Sequence, residues 1–320
     1  MDKKEIDILT IGDSSIDLTM HISQADEVST DENGTQQICF IHGSKVPVEQ
    51  FEASIAGNAL NVAVGCKYLG LQSAIYTELG DDQNTNKILT ELVEHGVDTS
   101  YCIKNSGTPT DVHSIIVYKG ERTIFSYHGK RDYRIRTWPK PKLLYYTSIG
   151  AGFENFQRDL VEYIKANKGI GVIFNPGTYQ MKAGAEALKN ILEVTDILIV
   201  NMDEAAKIVG EKPLIQLHID LHKLGPKLTV ITDGENGANT FDGENLVKVN
   251  AYTDGSAIID KTGAGDAFSS GFVSAIFHKK ALKEALAWGV VNANGEIKEA
   301  GAGTGLYTKE KMEEIVGKII

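Results

Sequence analysis

The chain has 320 residues, 42% of them hydrophobic, which is enough to bury one large core or two. Its formal net charge of −11 argues against nucleic acid, which is held through clustered Lys and Arg, and leaves small neutral or anionic ligands open. Three scattered cysteines (Cys39, Cys66, Cys102) without a CxxC pair exclude a disulfide framework and a structural zinc site, and predict reduced thiols with two or more buried.

The first strand is predicted over residues 6–11. It runs into Ile11-Gly12-Asp13-Ser14-Ser15-Ile16-Asp17. Acids Asp13 and Asp17 lie where a sheet ligand would sit and suit hydrogen bonds from sugar hydroxyls, although a capped turn explains them equally well. Residues 18–55 carry strand-like stretches at 37–41 and 51–55 with no long helix. Ala56-Gly57-Asn58-Ala59-Leu60-Asn61-Val62-Ala63 then opens a helix predicted over 58–69. Gly57 allows close backbone approach, and Asn58 and Asn61 offer donors and acceptors to a polyol. The plainer alternative is Asn58 as a helix cap and Asn61 as a buried polar residue.

A strand over 73–78 and a helix over 84–95 follow. Residues 101–128 contain two strand patterns, 112–118 and 122–127, joined by Lys119-Gly120-Glu121 as a hairpin turn. With the strands of 18–55 they are expected to form a small β-sheet lid. Strands over 143–148, 171–175, 196–200 and 228–232 alternate with helices over 154–167, 183–194, 203–209 and 215–224. That alternation predicts a mostly parallel sheet with helices on both faces, binding ligands at its carboxyl ends.

Asn201-Met202-Asp203-Glu204 leaves the 196–200 strand. Glu204 suits a magnesium ion held through water; Asn201 and Glu204 also have capping-box spacing. Thr232-Asp233-Gly234-Glu235-Asn236-Gly237 reads either as a phosphate cradle or as a plain hairpin. His218 and His222 stand four apart without a third ligand and predict a solvated helix face. Neither a Walker nor a Rossmann motif is present.

Asp260-Lys261-Thr262-Gly263-Ala264-Gly265-Asp266-Ala267-Phe268 is the most informative stretch. Small residues open a helix whose first amides are unpaired, a cradle for an anion, with the carboxylate of Asp266 inside it. A donor-lined hole beside a base suits phosphoryl transfer to a hydroxyl. No apolar run reaches the ~18 residues of a membrane span, and MDKKEIDILTIG has no apolar region after its charges, so a cytoplasmic protein without a signal peptide is expected.

The Gly57-Asn58 and Asp260-to-Ala267 segments, with Gly70 and Gly80 at matching spacing, resemble the two patterns of the ribokinase-like, or PfkB, family of carbohydrate and nucleoside kinases, from about Ile6 to about Tyr307. The resemblance implies a single α/β/α sandwich over residues 1–320 with a β lid that excludes water, and ATP- and magnesium-dependent phosphorylation of a pentose or ketohexose. A nucleoside, a phosphosugar gripped by Tyr127-His128-Gly129-Lys130-Arg131, and a ligand-binding homologue without catalysis are the alternatives; a solvated loop is the plainer reading of that basic cluster. It implies Asp266 as base, with the amides of Gly263, Ala264 and Gly265 as anion hole. Asp13, Asp17, Gly57, Asn58 and Asn61 fall at substrate positions. Asn201, Glu204, Thr232, Gly234, Gly237 and Asn294 fall at nucleotide positions, and Glu204 beside magnesium. Asp260 and Gly301 resemble the place where many members hold potassium. The chain departs from the pattern at Lys261, at Thr85 and in the polar Asn292-Ala293-Asn294-Gly295-Glu296. An exposed lid edge offers a second copy a pairing surface.

Overall fold

The computed structural model describes residues 5–25, 27–30, 36–138, 140–299 and 303–320. Strand Ile8–Ile11 is buried at every position, as a strand covered on both faces must be. It pairs in parallel with Ser73–Tyr76 on one side and Leu143–Tyr146 on the other. The sheet continues in parallel through Gly171–Phe174, Ile197–Asn201 and Leu228–Thr232. It then ends in two antiparallel strands, Ala238–Phe241 and Leu246–Val249, for eight in all.

Successive side chains enter opposite layers. Leu144 and Tyr146 join Phe156, Leu160 and Leu217 in one core, while Tyr145 joins Val62, Phe272 and Trp288 in the other. The expected three-layer sandwich is therefore the fold. The helix expected over 183–194 is Ala185–Leu192, and Gly184 at φ 82° separates it from a short preceding helix, Thr178–Ala183, that the sequence pattern does not show.

The lid is a four-stranded sheet in the order Glu121–Tyr127, Asp111–Tyr118, Ser15–Ile22, Gln50–Ala56. Its inner pair is parallel. Ser15–Ile22 begins inside the acidic segment read as a turn. The stretch expected at 37–41 does not join the lid; Gln36–Cys39 pairs with Glu27–Thr30 in a separate two-stranded sheet. Tyr118 faces Glu121, so the hairpin loop is only Lys119-Gly120. Both have positive φ (51° and 84°), as the twist-matching two-residue turn demands.

Two further expectations are corrected. Only Cys66 is fully buried; Cys102 is half-buried and Cys39, on the small outer sheet, is exposed. His218 is wholly buried rather than solvated, with Nδ1 2.7 Å from Thr229 Oγ1. Burial pushes its imidazole down to about 4. Among the described residues no three metal-ligating side chains cluster, and no helix is long and apolar enough to cross a membrane.

Candidate active site

Helices Asn58–Tyr68 and Ala264–Phe277 bury Val62, Cys66, Phe268 and Phe272 in the same core, which brings their N-termini together. Asn58 Nδ2 donates to Asp266 Oδ1 at 2.9 Å, and Asn61 Nδ2 donates to Asp266 Oδ2 at 2.8 Å. Asn58 is not the cap; the helix starts on it and Gly57 precedes it at φ 130°. Both amides face the acid of a segment about 205 residues away. Burial pushes the Asp266 carboxyl up to about 6, against the pull of the two amides, and the charge of Glu204 adds to the rise. Such a group is a carboxylate near neutral pH and still accepts a proton readily.

Gly263 caps the second helix at φ 77°. The Ala264 amide turns back to Lys261 O at 3.4 Å. The amides of Gly265 and Asp266, in the first helical turn, find no intrahelical partner. A Cβ on Gly265 would meet nothing within 4 Å; packing does not require glycine there, and the amide is open to close approach. Ala264 and Gly265 form one wall of a cavity of about 420 Å³. Thr232, Gly234 and Gly237 line it from the turn after Leu228–Thr232, and Asn294 lines it from helix Leu282–Glu296. That turn is a hairpin into Ala238–Phe241 as well as a cavity wall. Phe268 and Val290 add apolar lining. Of the polar helix end, Asn292 is spent on packing: Nδ2 donates to Ala267 O at 2.9 Å and Ser270 Oγ at 3.1 Å.

Asn201 and Glu204 form the capping box. Glu204 N donates to Asn201 Oδ1 at 2.8 Å, and Asn201 N donates to Glu204 Oε2 at 2.9 Å. Burial raises the Glu204 carboxyl above the usual range. Its charge is felt at Asp266. The Glu204 carboxylate is an oxygen ligand of the kind that a water-bridged magnesium ion prefers.

On the lid side, Asp13 is half-buried and accepts from Tyr133 Oη at 2.9 and 3.0 Å; Gly150 N donates to the same phenol at 3.1 Å. Burial, with the charge of Asp111 next, pushes Asp13 up to about 7. Asp17, on the lid strand, lies 3.0 Å from His113 Nδ1. Gly57 is needed by the backbone, because a Cβ would come within 2.4 Å of Asp13 O. Tyr133, Asp111 and His113 gave no motif in the sequence and are assembled only by the fold.

Arg131 corrects both readings of the basic cluster. Its side chain is 1% exposed. It donates to Glu78 O, Thr108 Oγ1, Pro109 O and Asp111 Oδ1 at 2.7 to 3.1 Å. It belongs neither to a solvated loop nor to an open phosphate grip. Thr85 has a similar explanation: it is buried and donates to Gly80 O at 2.8 Å. Asp260 Oδ1 accepts from Thr262 N, Thr262 Oγ1 and the lid's Arg122 Nη1 at 2.9, 2.6 and 3.1 Å. A guanidinium already faces this carboxylate, so a potassium ion fits it poorly. Gly301, its expected partner, lies outside the described residues.

The profile of the pfkB family carbohydrate kinases matches residues 21–309. The ATP-dependent 6-phosphofructokinase of Thermoanaerobacterium thermosaccharolyticum is 27% identical, over 94% of this chain and 91% of its own. Among solved structures, the nucleoside kinase of Methanocaldococcus jannaschii superposes with a TM-score of 0.79 at 20% identity, covering 99% of this chain and 100% of that one. Arabidopsis thaliana ribokinase, complexed with ribose and ATP, gives 0.79 at 19% identity, covering 98% and 99%.

Proposed function

The chain belongs to the pfkB family of carbohydrate kinases, and we propose that it transfers the γ-phosphate of ATP to a hydroxyl of a small neutral sugar. The observation that carries this reading is Asp266, held by Asn58 and Asn61 at the open end of a helix that walls a nucleotide-sized cavity. The acceptor sits against Asp13 and Asp17 under the lid. Asp266 takes the hydroxyl proton as the oxygen bonds to the γ-phosphorus and the bond to the bridging β,γ-oxygen breaks, releasing ADP. The Gly265 and Asp266 amides stabilise charge on the transferring group. Glu204 would hold magnesium through water, and bound there the ion would neutralise phosphate charge.

What supports a neutral acceptor is that Arg131 is fully committed, and that Asp111 is shared by Arg131 and His128. A phosphosugar would lack a free guanidinium from this cluster. A nucleoside is the second reading. His128, whose charge reaches Asp13, has its ring 5.4 Å from that of His113 and 5.7 Å from that of Tyr179, a row of rings against which a base can stack.

The test is ADP release against a panel of sugars, nucleosides and phosphosugars, repeated with Asp266→Asn. Acceptor-dependent turnover is expected, falling at least about a hundredfold in the variant with acceptor affinity kept. Unchanged turnover would reject the base. Nucleotide and sugar binding without any ADP release would favour a non-catalytic homologue.

A further inference from the structure

We infer that the ammonium group of Lys261 binds the phosphates of the nucleotide; the inference rests on the reading of the 420 Å³ cavity as the ATP site. Two lysines line that cavity, Lys261 and Lys298. Lys298 is neutralised, because its Nζ donates to Asp254 and lies 3.4 Å from Tyr307 Oη. Lys261 forms no ion pair among the described residues, and its sequence neighbour Asp260 is taken by Arg122 and Thr262.

Ala264 N donates to Lys261 O, closing a turn over residues 261–264 with Gly263 in the left-handed region. Lys261 lines the cavity beside Ala264 and Gly265, where the Gly265 amide has no intrahelical partner. The acid lining the same cavity, Glu235, comes from a different element, the hairpin turn. The positive part of the wall is thus the cradle segment, and a polyphosphate is drawn to it. Lys261 is exposed, so its pull is screened and short-ranged; the phosphates carry the charge that it attracts, and the nucleoside portion carries none.

The test is calorimetric titration of the whole chain with ATP and with adenosine, without acceptor and at constant ionic strength. Lys261→Met should weaken ATP by about tenfold while adenosine binding changes by less than about twofold, and Lys261→Arg should restore most of the loss. ATP affinity unchanged in Lys261→Met would overturn the inference, as would a parallel loss for adenosine. If the unaltered chain binds adenosine but not ATP, both this inference and the kinase reading fall.

Discussion

Asn61 and Asp266 are 205 positions apart and meet at 2.8 Å, amide to carboxylate, at the point where two buried helices begin. The pairing sets the basicity of Asp266, because burial raises its pKa and the amide donors hold it down.

Asn61→Leu removes one donor and leaves the burial. Asp266 should then titrate above its present value of about 6. A base works only when deprotonated, so activity is lost as pH falls through its pKa. The acidic limb of the kcat/KM profile should move to higher pH, with the loss larger at about pH 6 than at about pH 9. A uniform loss across the profile would mean that Asn61 acts only by packing.

Gly65, two turns along the Asn58 helix, lies against the base's own helix. A Cβ there would come within 2.3 Å of Ser270 Oγ and 2.6 Å of Ser270 Cβ. Gly65→Ala should push the two helices apart, destabilising the fold by about 1–3 kcal/mol and stretching both amide contacts to Asp266. Denaturant unfolding and steady-state rates together check this. Turnover should fall more steeply than the folded fraction, whereas a variant with wild-type kcat would show that the helix spacing does not matter.

Much of the sheet and the Asp266 helix could be read from the chain, because buried parallel strands and small-residue helix starts leave local patterns. Ser15–Ile22 was legible too. Its apolar residues Ile16, Leu18, Met20 and Ile22 alternate with Ser15, Asp17, Thr19 and His21, the period of a half-buried strand, but its acids suggested a turn. The partners of Asp13 were not legible. Tyr133, Asp111 and Arg131 are ordinary surface types in sequence; the pairing of Asp111–Tyr118 with Ser15–Ile22 places Asp111, and the segment after Glu121–Tyr127 brings Arg131 to it and Tyr133 to Asp13. Glu204 shows a different limit: one spacing suits both a capping box and an ion ligand, and the fold realises the capping box.

Asp13 should make stability depend on pH. Its folded pKa of about 7 lies above the ordinary 3.8. The folded state therefore holds the proton more tightly, and the stabilisation is present below about pH 4 and lost as pH rises through about 7. Asp13→Asn keeps an acceptor for Tyr133 and removes the buried charge. It should raise the midpoint of thermal unfolding at about pH 8 by more than at about pH 5. Equal shifts at both pH values would show that Asp13 is not the group responsible.

Arg131 distinguishes a scaffold role from recognition of a phosphate. It is buried, and Asp111 beside it is 4% exposed. Arg131→Met strips Asp111 of its strongest partner and leaves Glu78 O and Pro109 O without their donors. Breaking one side of a buried pair costs about 3–5 kcal/mol, so the variant should unfold at clearly lower denaturant. Arg131→Lys should recover only part of that, since an ammonium cannot reach the four acceptors that the planar fork spans. If Arg131→Met instead keeps full stability and raises KM only for phosphorylated acceptors, the guanidinium serves the substrate, and the neutral-sugar assignment gives way to a phosphosugar.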